Sequence, residues 1–231
     1  MNYAIVVAGG SGSRTGNVVP KQFLTVNEKP IIIYTMLNLQ KCEYIDAIII
    51  VCMHGWENFV ELYAKQYSVR KVRAVIPGGE DRYQSMKNGV DFLSKECNDN
   101  DNVLIVDSNR PLIPHAIFKE EIERIKNGTC CISAEPCFDS MYISDGNSSK
   151  LVSEIDRSTL YKGQTPEGFK YGDIKRIFEL SQKEGRKGPC TTLALSYGLN
   201  VEKVLGSSLN FKITTSDDII MFKALVATMN N

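Results

Sequence analysis

Short apolar runs recur along the chain, and glycine, proline or polar residues close each one. Residues 3–7 are apolar and rich in β-branched side chains, the composition of a strand covered on both faces. Residues 47–52, 72–76, 103–106 and 129–135 repeat that signature. Between these runs the apolar residues fall three and four apart, which predicts helices over 31–40, 56–67, about 82–95 and 114–127. Pro30 stands at the entry of the first, and Gly128 is placed to stop the last. In the second, Trp56, Phe59, Val60 and Tyr63 share one face and are expected in the core. The charged residues from Lys119 to Lys126 are expected to form a solvated face.

After residue 135 the alternation breaks. Residues 138–143 and 151–155 read as two short strands around the turn signal Asp145-Gly146-Asn147. Such a hairpin is expected to meet a partner subunit or to lie as a flap over its own site. Helices over 171–184, 192–197 and 217–228 and a strand over 201–205 complete the chain, without repeats, low-complexity tracts or linkers. The fold class expected is α/β: a Rossmann-like, doubly wound, mostly parallel sheet with helices on both faces and a projecting β-hairpin arm. One domain spans residues 1–231, with residues 138–155 as its arm.

Chemistry concentrates where the runs end. The first strand opens into Ala8-Gly9-Gly10-Ser11-Gly12-Ser13-Arg14, followed by Gly16 and by Pro20-Lys21. Glycines let the backbone approach a ligand closely, and successive N–H groups in such a loop form a concave anion site. Arg14 and Lys21 add a forked and a mobile cation. The loop is therefore expected to hold a polyphosphate. It lacks the Gly-Lys-Ser/Thr of a Walker A loop, and Thr15 replaces the third glycine of a dinucleotide loop. A second glycine edge, Pro77-Gly78-Gly79, precedes Arg82 and Ser85, which lie on one face of a helix's first turn. Asp107 follows the strand at 103–106, at the end where open α/β sheets bind ligands, and an aspartate there suits Mg²⁺ held against phosphate oxygens.

Bulk properties exclude several classes. The chain of 231 residues has a formal net charge of zero, so a nucleic acid is not an expected partner. The apolar runs are too short to cross a membrane, and no basic residue precedes the first of them as in a signal segment, so the expected location is the cytoplasm. Seven cysteines without Cys-x-x-Cys spacing, and only two histidines, argue for reduced thiols and against a zinc centre or a Ser-His-Asp hydrolase. Arg186 and Lys187 are expected to be solvent-exposed.

Taken together, the motifs resemble those of the polyol-phosphate cytidylyltransferases, the family of the methylerythritol-phosphate and ribitol-phosphate enzymes. The likeness rests on Ala8-Gly9-Gly10-x-Gly12-x-Arg14, Pro20-Lys21-Gln22-Phe23-Leu24, Gly78-Gly79-x-x-Arg82-x-x-Ser85 and Asp107-Ser108-x-Arg110-Pro111. It continues in Asp139-Ser140, Gly163-Gln164-Thr165-Pro166 and Lys212-Ile213-Thr214, in the family's order and across nearly the whole chain. The resemblance implies transfer of CMP from CTP to an alditol phosphate, with Mg²⁺ and release of pyrophosphate. It implies that Ala8, Gly9, Gly10, Gly12, Ser13, Arg14 and Lys21 hold the triphosphate. Gly79 and Ser85 would lie beside the cytosine, Arg82 belongs with the nucleotide set, and Asp107 would face both metal and acceptor. Arg157, Thr165 and Lys212 would surround the acceptor phosphate, with Arg14, Lys21 and Lys212 the catalytic cations. The family's arm exchange implies a homodimer in which Arg110, Asp139 and Ser140 reach the partner's substrate.

The family's chemistry suits this set, because a phosphate anion needs no protein base to attack the α-phosphorus. Departures from the family pattern are Thr15, Val106, Ser140, Tyr142 and Thr192. With Gly16-Asn17-Val18, Tyr161-x-Gly163 and Lys212-Ile213-Thr214-Thr215, they bring the chain nearer the ribitol-phosphate branch, which feeds teichoic acid or capsule polymers. The methylerythritol reaction of isoprenoid synthesis is the alternative. A nucleotide-binding subunit without activity and a nicotinamide-dependent reductase are the competing classes.

Overall fold

A computed structural model describes residues 1–10, 19–146 and 149–229. Gly12, Ser13, Arg14, Thr15, Gly16, Asn17 and Val18, with Asn147 of the arm turn, lie outside the described residues. Strand β1 (Asn2–Ala8) runs into the glycine segment. A 3-10 turn (Lys21–Phe23) and a small hairpin, β2 (Thr25–Val26) with β3 (Lys29–Pro30), lead into helix α1 (Ile31–Lys41). Then follow β4 (Ala47–Cys52), α2 (Glu57–Gln66), β5 (Val72–Pro77), α3 (Arg82–Leu93), β6 (Asn102–Asp107), α4 (His115–Lys126) and β7 (Cys130–Pro136). The arm comprises β8 (Met141–Ser144) and β9 (Leu151–Ile155). The chain closes with β10 (Tyr161–Lys170), α5 (Tyr171–Glu184), α6 (Cys190–Ser196), β11 (Val201–Leu205) and α7 (Ser216–Met229).

Seven strands form one sheet in the order β11-β7-β10-β6-β1-β4-β5. β1 pairs in parallel with β4 on one side and β6 on the other, so the chain winds outward to β5, then crosses to the far side of β1. That reversal makes a crevice at the carboxyl ends of β1 and β6, the usual ligand position in an open α/β sheet. Alternate residues of β1 serve the two faces, as the period of two requires. Ala4 and Val6 pack with Ile32, Met36, Phe118 and Ile122 of α1 and α4, while Tyr3, Ile5 and Val7 pack with Met86, Val90, Ile174 and Phe178 of α3 and α5. A smaller cluster of Val26, Ile31, Ile213, Phe222 and Val226 fastens α7 beside the first hairpin and α1. Each such buried side chain contributes about 1.5–3 kcal/mol relative to exposure.

Three expectations change. β10 is a ten-residue strand antiparallel to both β6 and β7, where only isolated motif residues were expected. Its pairing with β7 breaks between Gly163 and Glu167, and Pro166 occupies that break, where no ladder bond is lost. Phe59, assigned to the core, is 53% exposed; Trp56 turns inward and stacks on Phe23, ring centroids 4.1 Å apart. Glu121, assigned to a solvated face, is fully buried. All seven cysteines are free, and five are buried. Among the described residues, no helix is long and apolar enough to cross a membrane.

Candidate active site

The crevice begins with two glycine edges in close contact. Ser85, buried on the first turn of α3, donates from Oγ to the Asp81 carbonyl (2.9 Å) and accepts from the Gly79 N–H (3.1 Å). A Cβ on Gly9 would stand 2.6 Å from that same Oγ, and one on Gly79 would stand 2.2 Å from Gln84 Cγ. A side chain at Gly9 would press the first edge away from Ser85, and one at Gly79 would press on the first turn of α3. Gln22, itself buried, donates from Nε2 to the carbonyls of Ala8 (2.8 Å) and Gly10 (3.0 Å). The two carbonyls are thereby occupied, and Lys21, adjacent to Gln22 in the 3-10 turn, is carried to this edge. Asp81 caps α3 by accepting from the Gln84 N–H (2.7 Å) and pairs with Lys187 (2.8 Å). The Lys187 hydrogen bond, then the Gln84 N–H, hold its carboxyl below the ordinary value.

Across the crevice stands Asp107, 5% exposed, at the end of β6. Its Oδ1 accepts from Arg82 Nη2 (3.2 Å), and its Oδ2 meets Lys212 Nζ (2.9 Å) and Arg110 Nε (3.3 Å). Its backbone N–H donates to Thr165 Oγ1 (3.0 Å). Burial acting alone would raise its pKa; the charges of Arg82, Lys212 and Arg110 reverse that and hold the carboxyl far below its ordinary value. Asp107 is an ionised hub joining three cations drawn from three separate stretches of chain.

Long-range hydrogen bonds bring those stretches together. Asn109 donates from Nδ2 to the Ile213 carbonyl (2.6 Å), and the Ile213 N–H donates back to the Asn109 carbonyl (3.0 Å), which seats Lys212 against Asp107. Asn210, fully buried, donates to the Thr165 carbonyl (2.8 Å) and to Gln164 Oε1 (3.1 Å), and its own carbonyl accepts from Arg110 Nη1. On the other side, Glu167 accepts from Arg82 Nη2 (3.3 Å), the Thr191 N–H (2.8 Å) and Thr191 Oγ1 (2.7 Å).

Of the residues singled out in the sequence, the structure joins Arg82, Asp107, Arg110, Thr165 and Lys212 directly. It gathers Ala8, Gly9, Gly10, Lys21, Gly79 and Ser85 along the glycine edges. Gly12, Ser13 and Arg14 lie outside the described residues. Arg110 differs from expectation: its guanidinium is buried against its own Asp107 and Asn210 rather than extended toward a partner. Asp139, Ser140 and Arg157 lie exposed at the base of the arm, where Arg157 donates to the Phe138 carbonyl. Sequence reading missed Glu167, Asn109 and Asn210. Glu167 directly follows the Gln164-Thr165-Pro166 motif, and Asn109 lies inside the Asp107–Pro111 motif, so both were next to a visible signal. Asn210 had none.

Among the described residues, no three His, Cys, Asp or Glu side chains converge as a metal-binding group. The donor set therefore does not cage a metal by protein alone. Both Asp107 oxygens are taken by Arg82, Arg110 and Lys212, so a hard cation would have to arrive on phosphate oxygens and displace one of these contacts to meet the carboxylate. The arrangement as a whole sets a surplus of positive charge in the crevice beside two closely packed glycine edges, which suits a polyphosphate and the charge that builds as one is cleaved.

The chain matches a model of the 2-C-methyl-D-erythritol 4-phosphate cytidylyltransferase family over residues 2–228. It is 35% identical, over 226 residues and 96% of each chain, to the ribitol-5-phosphate cytidylyltransferase of Lacticaseibacillus paracasei. It is 33% identical over 227 residues to the 2-C-methyl-D-erythritol 4-phosphate cytidylyltransferase of Syntrophus aciditrophicus, with 96% of this chain and 94% of that one covered. Its fold matches the crystal structure of 4-diphosphocytidyl-2C-methyl-D-erythritol synthase from Anaerococcus prevotii with a TM-score of 0.82, at 23% identity and covering 98% and 96% of the two chains.

Proposed function

Because the chain belongs to the 2-C-methyl-D-erythritol 4-phosphate cytidylyltransferase family, we propose that it transfers CMP from CTP to ribitol 5-phosphate or a similar alditol phosphate, yielding a CDP-alditol and pyrophosphate. The observation that carries this reading is the Asp107 hub, which sets Lys212, Arg82 and Arg110 opposite the glycine edges. In this reading Ala8, Gly9, Gly10, Gly12, Ser13, Arg14 and Lys21 hold the triphosphate, with Gly79 and Ser85 beside the base. Lys212, Thr165 and Arg157 receive the acceptor phosphate. The acceptor's phosphate oxygen attacks the α-phosphorus of CTP, and the bond to pyrophosphate breaks. Lys21 and Lys212 then face negative charge that spreads over the phosphorus oxygens, so their contribution grows as the reaction proceeds. When bound, Mg²⁺ would supply further neutralisation of the leaving pyrophosphate, and Asp107 is the carboxylate that would hold it on giving up one of its cation contacts.

Ribitol 5-phosphate is favoured as acceptor by the 35% identity to a ribitol-5-phosphate enzyme and by Tyr142, where the methylerythritol branch carries lysine. A product of that kind would supply teichoic acid or capsule polymers, and CTP as donor places the reaction in the cytoplasm. The arm supports a homodimer: Phe138, Tyr142, Ile143, Leu151 and Val152 are all exposed, an apolar area that a second copy would cover. Methylerythritol phosphate is the second reading, favoured by the family match and by the 33% identity to an enzyme of that name.

Pyrophosphate release from CTP and Mg²⁺ should be measured against a panel of ribitol, arabinitol, mannitol and methylerythritol phosphates. Turnover is expected to be fastest with ribitol 5-phosphate. Turnover fastest with methylerythritol phosphate would select the second reading, and silence across the panel would overturn both.

A further inference from the structure

Arg82 lies between two carboxylates. Its Nε and Nη2 reach Asp107 Oδ1 (3.4 and 3.2 Å), its Nη2 also reaches Glu167 Oε1 (3.3 Å), and its Nη1 points to Met86 Sδ (3.0 Å). Glu167 is 3% exposed and fixed from behind: both the N–H and the Oγ1 of Thr191 donate to its Oε2. The next residue, Gly168, packs closely under α4: a Cβ there would meet Cys131 Sγ at 2.7 Å and Ile125 Cδ1 at 2.8 Å. Glu121 of α4 is buried on this side, and burial, then the charge of Glu167, raises its pKa well above the ordinary value. Glu167 thus supplies the negative charge that faces Arg82 from β10.

We infer that Glu167 is a positioning residue for the nucleotide, holding the Arg82 guanidinium part-way between two carboxylates instead of letting it close onto Asp107 alone. The inference rests on the reading that Arg82 meets the nucleotide. Without Glu167, the Arg82–Asp107 pair tightens and Arg82 withdraws from the glycine edge at Gly79, three residues before it. Plain charge makes the opposite forecast. Three cations face two carboxylates here, so removing one carboxylate makes the cluster more cationic and should tighten its hold on an anion.

Glu167→Gln separates the two. The Thr191 N–H can only donate, so the new amide must present its oxygen there and its NH₂ to Arg82. The Thr191 contact survives and the Arg82 contact is broken. Calorimetric titration of the full-length protein with CTP and Mg²⁺ should then show affinity about tenfold weaker, the equivalent of one charge-assisted hydrogen bond. Because Glu167 acts through Arg82, the same change in an Arg82→Ala background should cost no more than about twofold, as a double-mutant cycle reads coupling. Thr191→Val, which removes one support of Glu167 and keeps the volume, should weaken CTP binding about twofold to threefold, and it tests the inference even if Glu167→Gln fails to fold. CTP affinity unchanged or tighter in folded Glu167→Gln or Thr191→Val, or losses that simply multiply in the double variant, would overturn the inference alone. No CTP binding by the unsubstituted protein would overturn the functional reading and this inference with it.

Discussion

The Asp107 hub and the β8–β9 arm are opposites built by the same chain. Asp107 at the centre of the hub is buried, and its side chain meets cations from three stretches of sequence. The arm is exposed along both strands, paired with itself, with apolar side chains left in water. The arm is a two-stranded hairpin, a unit marginal in water alone, and it gains its stability from whatever covers it. If the arm is the assembly surface proposed above, substitutions along its strands and substitutions at the hub should have separable effects.

The largest effect is expected at the hub. Asp107→Asn keeps the shape but leaves Arg82, Lys212 and Arg110 facing a neutral amide, and should lower the rate of pyrophosphate release about 10²–10³-fold. It should also destabilise the fold by about 3 kcal/mol, read by denaturant titration, as breaking a buried ion pair does. Next comes Leu151→Glu combined with Val152→Glu. Two charges on the arm should convert a dimer to a monomer by light scattering while leaving the melting temperature of the main sheet within a few degrees. Loss of the sheet's stability along with assembly would break the proposed separation.

A pH series sharpens the comparison further. The Asp107 pKa is depressed in the fold, so its stabilising contribution is fully present above the unfolded carboxylate value, about 4. It is lost as the pH falls below that value toward the depressed folded one. The stability gap between the protein and Asp107→Asn should therefore be constant from pH 8 to about 5 and shrink below about 4. A gap that shrank on the alkaline side would contradict the hub's charge arrangement. The smallest effect is expected at the rim: Asp81→Ala removes the α3 cap and should cost about 1 kcal/mol, with CTP affinity reduced by a few-fold at most.

Sequence legibility followed burial and locality. Strand 47–52 was readable to the residue because a buried parallel strand is an uninterrupted apolar, β-branched run. β10 was not, since Gly163, Pro166 and Gly168 read as turn residues; only the irregular pairing with β7 makes room for them. Glu121 was misjudged from its charge, although it stands four residues from both Ile117 and Ile125 on the buried stripe of α4. Phe59 was misjudged for the converse reason, because aromatic character was taken as burial. At the site, Asp107 was visible at a strand end, and Lys212 and Thr165 as residues of the motifs that carry the family resemblance. Glu167 and Asn210 were not, because a buried carboxylate and a buried amide acquire meaning only from partners far away in the chain.

The reciprocal bonds between Asn109 and Ile213 carry a consequence for biosynthesis. They join residues 104 apart, and the lysine beside Ile213 completes the charge balance around Asp107. A growing polypeptide can form its inner strands early, but the charge balance around Asp107 waits until the segment bearing Lys212 has left the ribosome. A product terminated before that residue would carry the fold's beginnings without its reactivity.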